Sequence, residues 1–289
     1  MLRASFPKVD YLVIGNVTHD IHPGKPDTIG GTATYAAITA HKLGRRVGMI
    51  TRAGADFPWI GWLESNVDHV HVLPSDVTTT YVLEYTDEGR ILILRSLASP
   101  IEPDDIPIPW QDSPLVHLGP VAQEIHPDLP AILDGAKKLV TPQGWMRCWD
   151  EGGYVAPYPF AVAGMVLPHT HVMVLSEEDI NYDRSVLLPW IGKVPVLILT
   201  KGRDGCTVFA EGEQRDVPPR PAEEVDPTGA GDIFAAAFLI KWHETGDPWG
   251  SAYFANAVAS MSIEKIGVEG IPSRETVERW MEEHPLWMR

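Results

Sequence analysis

What most narrows the fold is a series of short, continuous apolar runs distributed along the chain. Tyr11-Leu12-Val13-Ile14, Leu115-Val116-His117-Leu118, Val172-Met173-Val174-Leu175 and residues 194–199 are of this kind. They are strand-length and do not alternate, as expected of strands covered on both faces in a parallel sheet between helical layers. Further strands are expected at 46–52 and 67–73, with a small edge hairpin from 206–210 and 214–217. Helical patterns fall between them from the Gly30-Gly31 element to about 43 (stopping at Gly44), and at 58–65, 128–139, 252–264 and 273–282. The alternation runs from Tyr11 to the end without internal repeat or low-complexity linker. It predicts an α/β fold: one doubly wound, mostly parallel sheet flanked by helices, in a single domain 1–289. A β-branched hairpin pattern, 78–85 and 90–95 around Asp87-Glu88-Gly89, stands outside that alternation as an appendage.

Charge and cysteine content exclude several classes of function. A net charge of −16 over 289 residues is wrong for a protein that grips nucleic acid or an anionic membrane. Any polyanionic ligand must be received locally, by backbone amides, a few basic side chains and a metal ion. The two cysteines, Cys148 and Cys206, read as small buried residues and give no secreted disulfide framework. No apolar run reaches the ~20 residues of a membrane span, and residues 1–8 lack the apolar core of a signal peptide, so a cytoplasmic protein is expected.

Chemistry concentrates in Asp226-Pro227-Thr228-Gly229-Ala230-Gly231-Asp232, directly before the apolar helical run 233–240. Two glycines permit a tight turn, and the helix start beyond them offers unpartnered N–H groups and a positive dipole end. That is a seat for an anion. Asp232 lies beside it in the first helical turn. A carboxylate next to bound phosphate repels it, but is well placed to take the proton of a hydroxyl that attacks the phosphate. A purely structural role, with Asp226 or Thr228 capping the helix, would suit a lone Thr-Gly-x-Gly.

The whole seven-residue pattern, late in the chain and before an Ala-rich helix, resembles the signature of the ribokinase-like (PfkB) carbohydrate kinases. A second element fits: Asp20 after the first strand, then Gly30-Gly31 opening the first long helix. The resemblance implies a ribokinase-like fold with a small β lid, built from about 78–96 and a shortened 21–29 segment. It implies ATP as phosphoryl donor, Mg²⁺, and in some members K⁺ near the 267–272 loop, with a sugar or polyol hydroxyl as acceptor. Gly229, Ala230 and Gly231 would form the anion hole and Asp232 would be the base. Thr18, Asp20, Gly30, Gly31 and Tyr35 would face the acceptor, Asp20 accepting hydrogen bonds from neighbouring hydroxyls. Thr200, Gly202, Thr228 and Asn256 would meet the nucleotide.

Departures from the family pattern qualify the acceptor. Tyr35 stands where many relatives carry Asn, and serves either as an aromatic or phenolic contact or as core. Ser176 and Asp179 replace an Asn-x-x-Glu motif that organises Mg²⁺ through water; the same pair also reads as a capping box. Thr141-Pro142-Gln143-Gly144-Trp145-Met146-Arg147 resembles a stretch of the inositol-kinase-like branch, with Thr141 in place of Asp. There Arg147 is either a phosphate contact or half of a surface salt bridge. Lys201 and Arg203 are either phosphate contacts or solvated loop charges. His69/His71 and His169/His171 are spaced as zinc half-sites without a third ligand nearby in sequence, so structural or exposed histidines are expected. Two other readings stay open: a nucleoside or hydroxymethylpyrimidine kinase, and a non-catalytic sugar or nucleotide sensor of the same fold. Lid strands would present edges through which two copies could pair as a homodimer.

Overall fold

The computed structural model describes residues 6–86 and 89–285. Its strands are β1 (Tyr11–Ile14), β2 (Thr18–Ile21), β3 (Thr28–Gly30), β4 (Val47–Ala53), β5 (His69–Pro74), β6 (Thr79–Thr86), β7 (Gly89–Ser96) and β8 (Leu115–Leu118). The chain continues with β9 (Lys137–Val140), β10 (Arg147–Trp149), β11 (Val155–Pro157), β12 (Val172–Ser176), β13 (Val196–Thr200), β14 (Cys206–Ala210) and β15 (Glu213–Val217).

Nine of them form the main sheet, in the order β15-β14-β13-β12-β9-β8-β1-β4-β5. All neighbours are parallel except the β13–β14 and β14–β15 pairs, the expected edge hairpin. From β1 the chain goes outward to β4 and β5, and later returns beside β1 with β8 to build the other half. The strand order therefore reverses between β1 and β8, and the carboxyl ends there open a crevice.

The apolar runs identified in sequence are these central strands, and β1, β8 and the first four residues of β12 are buried throughout. One sheet face carries the long helices Thr32–Lys42, Ala230–Thr245 and Pro248–Ser262. The middle one is buried over Ile233 to Ile240, as a helix apolar all round requires. Gly246 ends it in the left-handed conformation that closes helix C-termini, and Asp247 then caps the next helix by accepting from the Trp249 N–H (2.9 Å).

The opposite face is covered differently from expectation. Instead of a helix over 128–139 there is a single turn, Leu129–Ile132, and then strand β9. Pro130 lacks an amide proton, and Asp134-Gly135 reverses the chain with Gly135 at φ 88°. The apolar end of that stretch enters the sheet between β8 and β12. Large side chains, including Trp110, Trp145, Phe160 and Trp190, fill this side.

A smaller four-stranded sheet, β3-β2-β6-β7, stands over the crevice. Residues near 21–29 supply β3 and the end of β2, and the β6–β7 hairpin pairs with β2 in parallel. The β10–β11 hairpin hooks onto β7 through Leu94 N–H to Gly153 O (2.8 Å).

Candidate active site

The crevice is a cleft of about 980 Å³ running from the small sheet to the ends of β12 and β13. At its centre the loop 226–229 turns into the helix Ala230–Thr245, with Gly229 at φ 76°. Asp226 holds this loop: Oδ1 accepts from Thr228 N–H (3.0 Å) and Oδ2 from Gly267 N–H (2.8 Å), tying the motif to the 267–270 turn. The Ala230 N–H closes back onto Pro227 O (3.2 Å), while those of Gly229, Gly231 and Asp232 have no partner among the described residues. Three unpartnered donors at a helix start are what an anion needs.

Asp232 lies at the cleft floor, half-buried. Burial pushes its carboxyl up to about 6, Asp179 acting in the same direction, while a hydrogen bond from Thr32 and the charge of Arg147 oppose the rise. A carboxylate with that affinity for protons is matched to base catalysis near neutral pH.

At the small-sheet end of the cleft, Asp20 comes from β2, almost fully buried, with Oδ1 accepting a hydrogen bond from the Thr18 hydroxyl (2.7 Å). Burial raises its pKa, and His22, Arg147 and His19 work against that. Gly30 pairs with Thr18 across the β2–β3 ladder, where any Cβ would overlap Asp20 Oδ2 and Thr18 Oγ1. Its lack of a side chain makes room for the carboxylate. Gly31, at φ 91°, approaches the Asn16 carbonyl in the same way and lines the cleft. The β6–β7 hairpin closes this end with Tyr81, Leu83 and Leu92, so it is a cover over the pocket rather than a surface hairpin.

Tyr35 is 4% exposed, its ring lying against Gly229. Its place is therefore under the anion loop, with one edge reaching the cleft. Arg147, at the start of β10, also enters the cleft. Nη1 donates to Val121 O (3.0 Å), the guanidinium stands over the Tyr81 ring (5.8 Å), and its charge acts on both Asp20 and Asp232. The surface salt bridge weighed for it in sequence is not formed among the described residues.

At the β12–β13 end Ser176 and Asp179 make the reciprocal bonds of a capping box, though a turn and not a helix follows them. Asp179 Oδ2 accepts from Ser176 N–H (2.8 Å) and Oγ (2.9 Å), and Oδ1 from Gln143 Nε2 (3.0 Å). Both residues still line the cleft, as do Thr200, Gly202 and Thr228. Lys201 is engaged with Asp216 (2.8 Å), and Arg203 lies 4.0 Å from Glu224. Asn256 is not among the lining residues: its amide donates to Val217 O (3.1 Å) and Pro218 O (3.0 Å), fastening its helix to the end of β15. No group of three or more His, Cys, Asp or Glu stands in metal-binding proximity among the described residues, and His171 Nδ1 accepts from Lys138 N–H (3.1 Å).

Sequence reasoning passed over Glu124. Fully buried, it accepts from the N–H groups of Asn16 (3.1 Å), Val121 (3.0 Å) and Ala122 (2.7 Å), joining the loops after β1 and β8 at the switch point. No local pattern marks such a residue, because its partners lie 108 positions away or in an irregular loop.

Comparison with known proteins agrees with this geometry. The profile described as pfkB family carbohydrate kinase matches residues 168–274. The chain is similar to the cytidine kinase of Thermococcus kodakarensis, 29% identical over 254 residues, covering 81% of this chain and 88% of that protein. It is similar also to the inositol 3-kinase of Oryza sativa subsp. japonica, 28% identical over 301 residues, covering 92% of this chain and 71% of the relative. Among solved structures, a pyrophosphate-dependent kinase in the ribokinase family, complexed with a pyrophosphate analog and myo-inositol, shares the fold. It superposes with a TM-score of 0.78 at 23% identity, covering 93% of this chain and 99% of that one.

Proposed function

We propose that this chain, whose residues 168–274 match the pfkB family carbohydrate kinase profile, is a kinase of that family and transfers the terminal phosphoryl group of ATP to a hydroxyl of a sugar or polyol. The observation that carries the reading is the pairing of unpartnered N–H groups at Gly229 and Gly231 with the proton-avid Asp232 on one helix start. The acceptor sits between Asp20 and the lid residues Tyr81, Leu83 and Leu92. Asp232 takes the proton of the reacting hydroxyl; its oxygen bonds to the terminal phosphorus as the bond to the bridging oxygen breaks and ADP departs. The loop amides and Arg147 hold the charge on the phosphoryl oxygens. The lid keeps water from competing.

Ser176 and Asp179 offer only oxygen donors, a set that suits Mg²⁺, and with both Asp179 oxygens already accepting hydrogen bonds they would hold it through water. Bound there, the ion would neutralise phosphate charge. The whole chain works as one kinase unit in the cytoplasm, where ATP is supplied; pairing of two copies through the lid edge is measurable by light scattering.

A nucleoside is the second acceptor to test, because Leu83, Leu92 and Val121 give the pocket an apolar wall on which a base could lie. The deciding experiment is release of ADP, or of phosphate from pyrophosphate, across a panel of inositols, ribose, ketoses and nucleosides. Turnover with ATP and one class of acceptor supports the proposal; silence with every pair, despite tight ligand binding, points to a sensor. Two outcomes accompany it. Asp20→Ala is expected to raise the acceptor KM roughly tenfold or more with kcat changed far less, since it removes ground-state hydrogen bonds; an unchanged KM takes Asp20 out of the acceptor site. The base must be ionised to work, so kcat/KM should fall about tenfold per pH unit below about 6 and level off above it. A profile flat to pH 5 would contradict the role of Asp232.

A further inference from the structure

Beneath the cleft a buried polar chain runs through the main sheet. Tyr11 on β1 and His117 on β8 are wholly buried, and Thr141 follows β9. The Tyr11 hydroxyl lies 2.8 Å from His117 Nδ1, and His117 Nε2 lies 3.2 Å from Thr141 Oγ1. Thr141 is 7% exposed, and what it exposes lines the cleft.

Proton accounting decides the direction of both bonds. Burial holds the imidazolium pKa down to about 3, so the ring is neutral and carries one N–H. The Tyr11 hydroxyl has no other partner among the described residues, and its proton would be stranded in the core unless Nδ1 accepts it. Nδ1 is therefore the lone-pair nitrogen and Nε2 bears the hydrogen. Nε2–H then donates to Thr141 Oγ1, leaving the threonine's own proton without an acceptor among the described residues.

From this we infer that Thr141 is a preset hydrogen-bond donor to the phosphoryl group in transfer, with Tyr11 and His117 as the positioning residues that fix its polarity. Location selects the phosphoryl group over either end of the substrates. Strand β9 lies between β12 and β13, which carry the donor side, and β8 and β1, which lead to the acceptor side. A Cβ placed on Gly119 would stand 3.3 Å from Thr141 Oγ1 and against the methyl of Thr32, the residue whose side chain lowers the Asp232 pKa, and Thr141, Thr32 and Asp232 all line one cleft. Thr141 and the base thus share Thr32 as a neighbour. An oxygen carrying negative charge is the natural acceptor for a hydroxyl whose own proton is left unpartnered. The inference rests on the kinase reading above, but the tautomer does not.

Two measurements test it on the full-length protein. Two-bond ¹H–¹⁵N correlation at neutral pH should show His117 protonated on Nε2, and Nδ1 protonation would overturn the assignment. In kinetics with ATP and the acceptor found in the panel, Thr141→Val should lower kcat roughly ten- to hundredfold, both KM values staying within about threefold. Thr141→Ser, which keeps the hydroxyl, should restore most of that loss. Thr141→Val matching the wild type, or Thr141→Ser as impaired as Thr141→Val, overturns the donor role alone. A wild type inert with every acceptor removes the kinase reading and this role with it.

Discussion

Asp232→Asn is expected to lower kcat by about a thousandfold or more, the loss of a positioned base, while leaving nucleotide and acceptor affinities close to those of the wild type. The amide is nearly isosteric, so the cleft keeps its shape, but it cannot accept the hydroxyl proton. The fold should not suffer. Asp232 has a folded pKa of about 6 against 3.8 for an ordinary aspartate, so its proton is held more tightly in the folded state. Any stability it confers is present below the unfolded value and is lost as pH rises through the folded one. At neutral pH the ionised carboxylate therefore opposes folding, and Asn removes that cost: the Tm should be equal or higher. Calorimetric titration beside steady-state kinetics separates these effects. Residual kcat within tenfold of wild type would exclude Asp232 as the base.

The second large effect is expected at Gly229. Its φ of 76° is a left-handed conformation, and a methyl group there would collide with Cγ and Cδ1 of the buried Tyr35 ring. Gly229→Ala therefore meets two penalties: about 1–2 kcal/mol of backbone strain, and displacement of a loop whose N–H groups must stay aimed at the phosphoryl group. We expect roughly a hundredfold loss in kcat, the scale seen when one oxyanion donor is removed, with a lower Tm. Tyr35→Ala in the same chain should relieve the collision but not the strain. The double variant should thus lose less stability than the two single losses summed, and recover part of kcat. Strict additivity would mean that Tyr35 does not support the loop.

This pairing explains a substitution that sequence left ambiguous. Tyr35 was open to two roles, acceptor contact or core, because its position in a helix does not say which neighbour it meets. The fold brings residue 35 against residue 229, and the ring becomes the underside of the anion loop. Arg147 is a similar case. In sequence it follows a buried turn and reads equally as surface charge; only the β10–β11 hairpin, hooked onto the lid, turns it into the cleft. Asn256 went the other way. The family resemblance suggested nucleotide contact, but the packing of its helix on β14 and β15 consumes its amide protons.

The stretch 128–139 misled for a local reason. A few apolar residues ending in Lys-Lys-Leu-Val satisfy helix and strand alike, and it is the left-handed Gly135 that cuts the run into a single helical turn and a strand.

Sequence by itself determined the layered architecture and the glycine turn that opens the helix after residue 229, since unalternating apolar runs and such a turn are local patterns whose physics needs no distant partner. Tertiary structure alone decided what faces what: Glu124 between two loops, Tyr35 beneath Gly229, Arg147 above Asp20 and Asp232, and the Tyr11–His117–Thr141 chain under the phosphoryl site. Most of those contacts join residues far apart in the chain, Asn16 and Glu124 by 108 positions and Tyr11 and His117 by 106. No chain-local preference encodes them. They follow from which strands become neighbours, and that is settled by burial of the whole sheet.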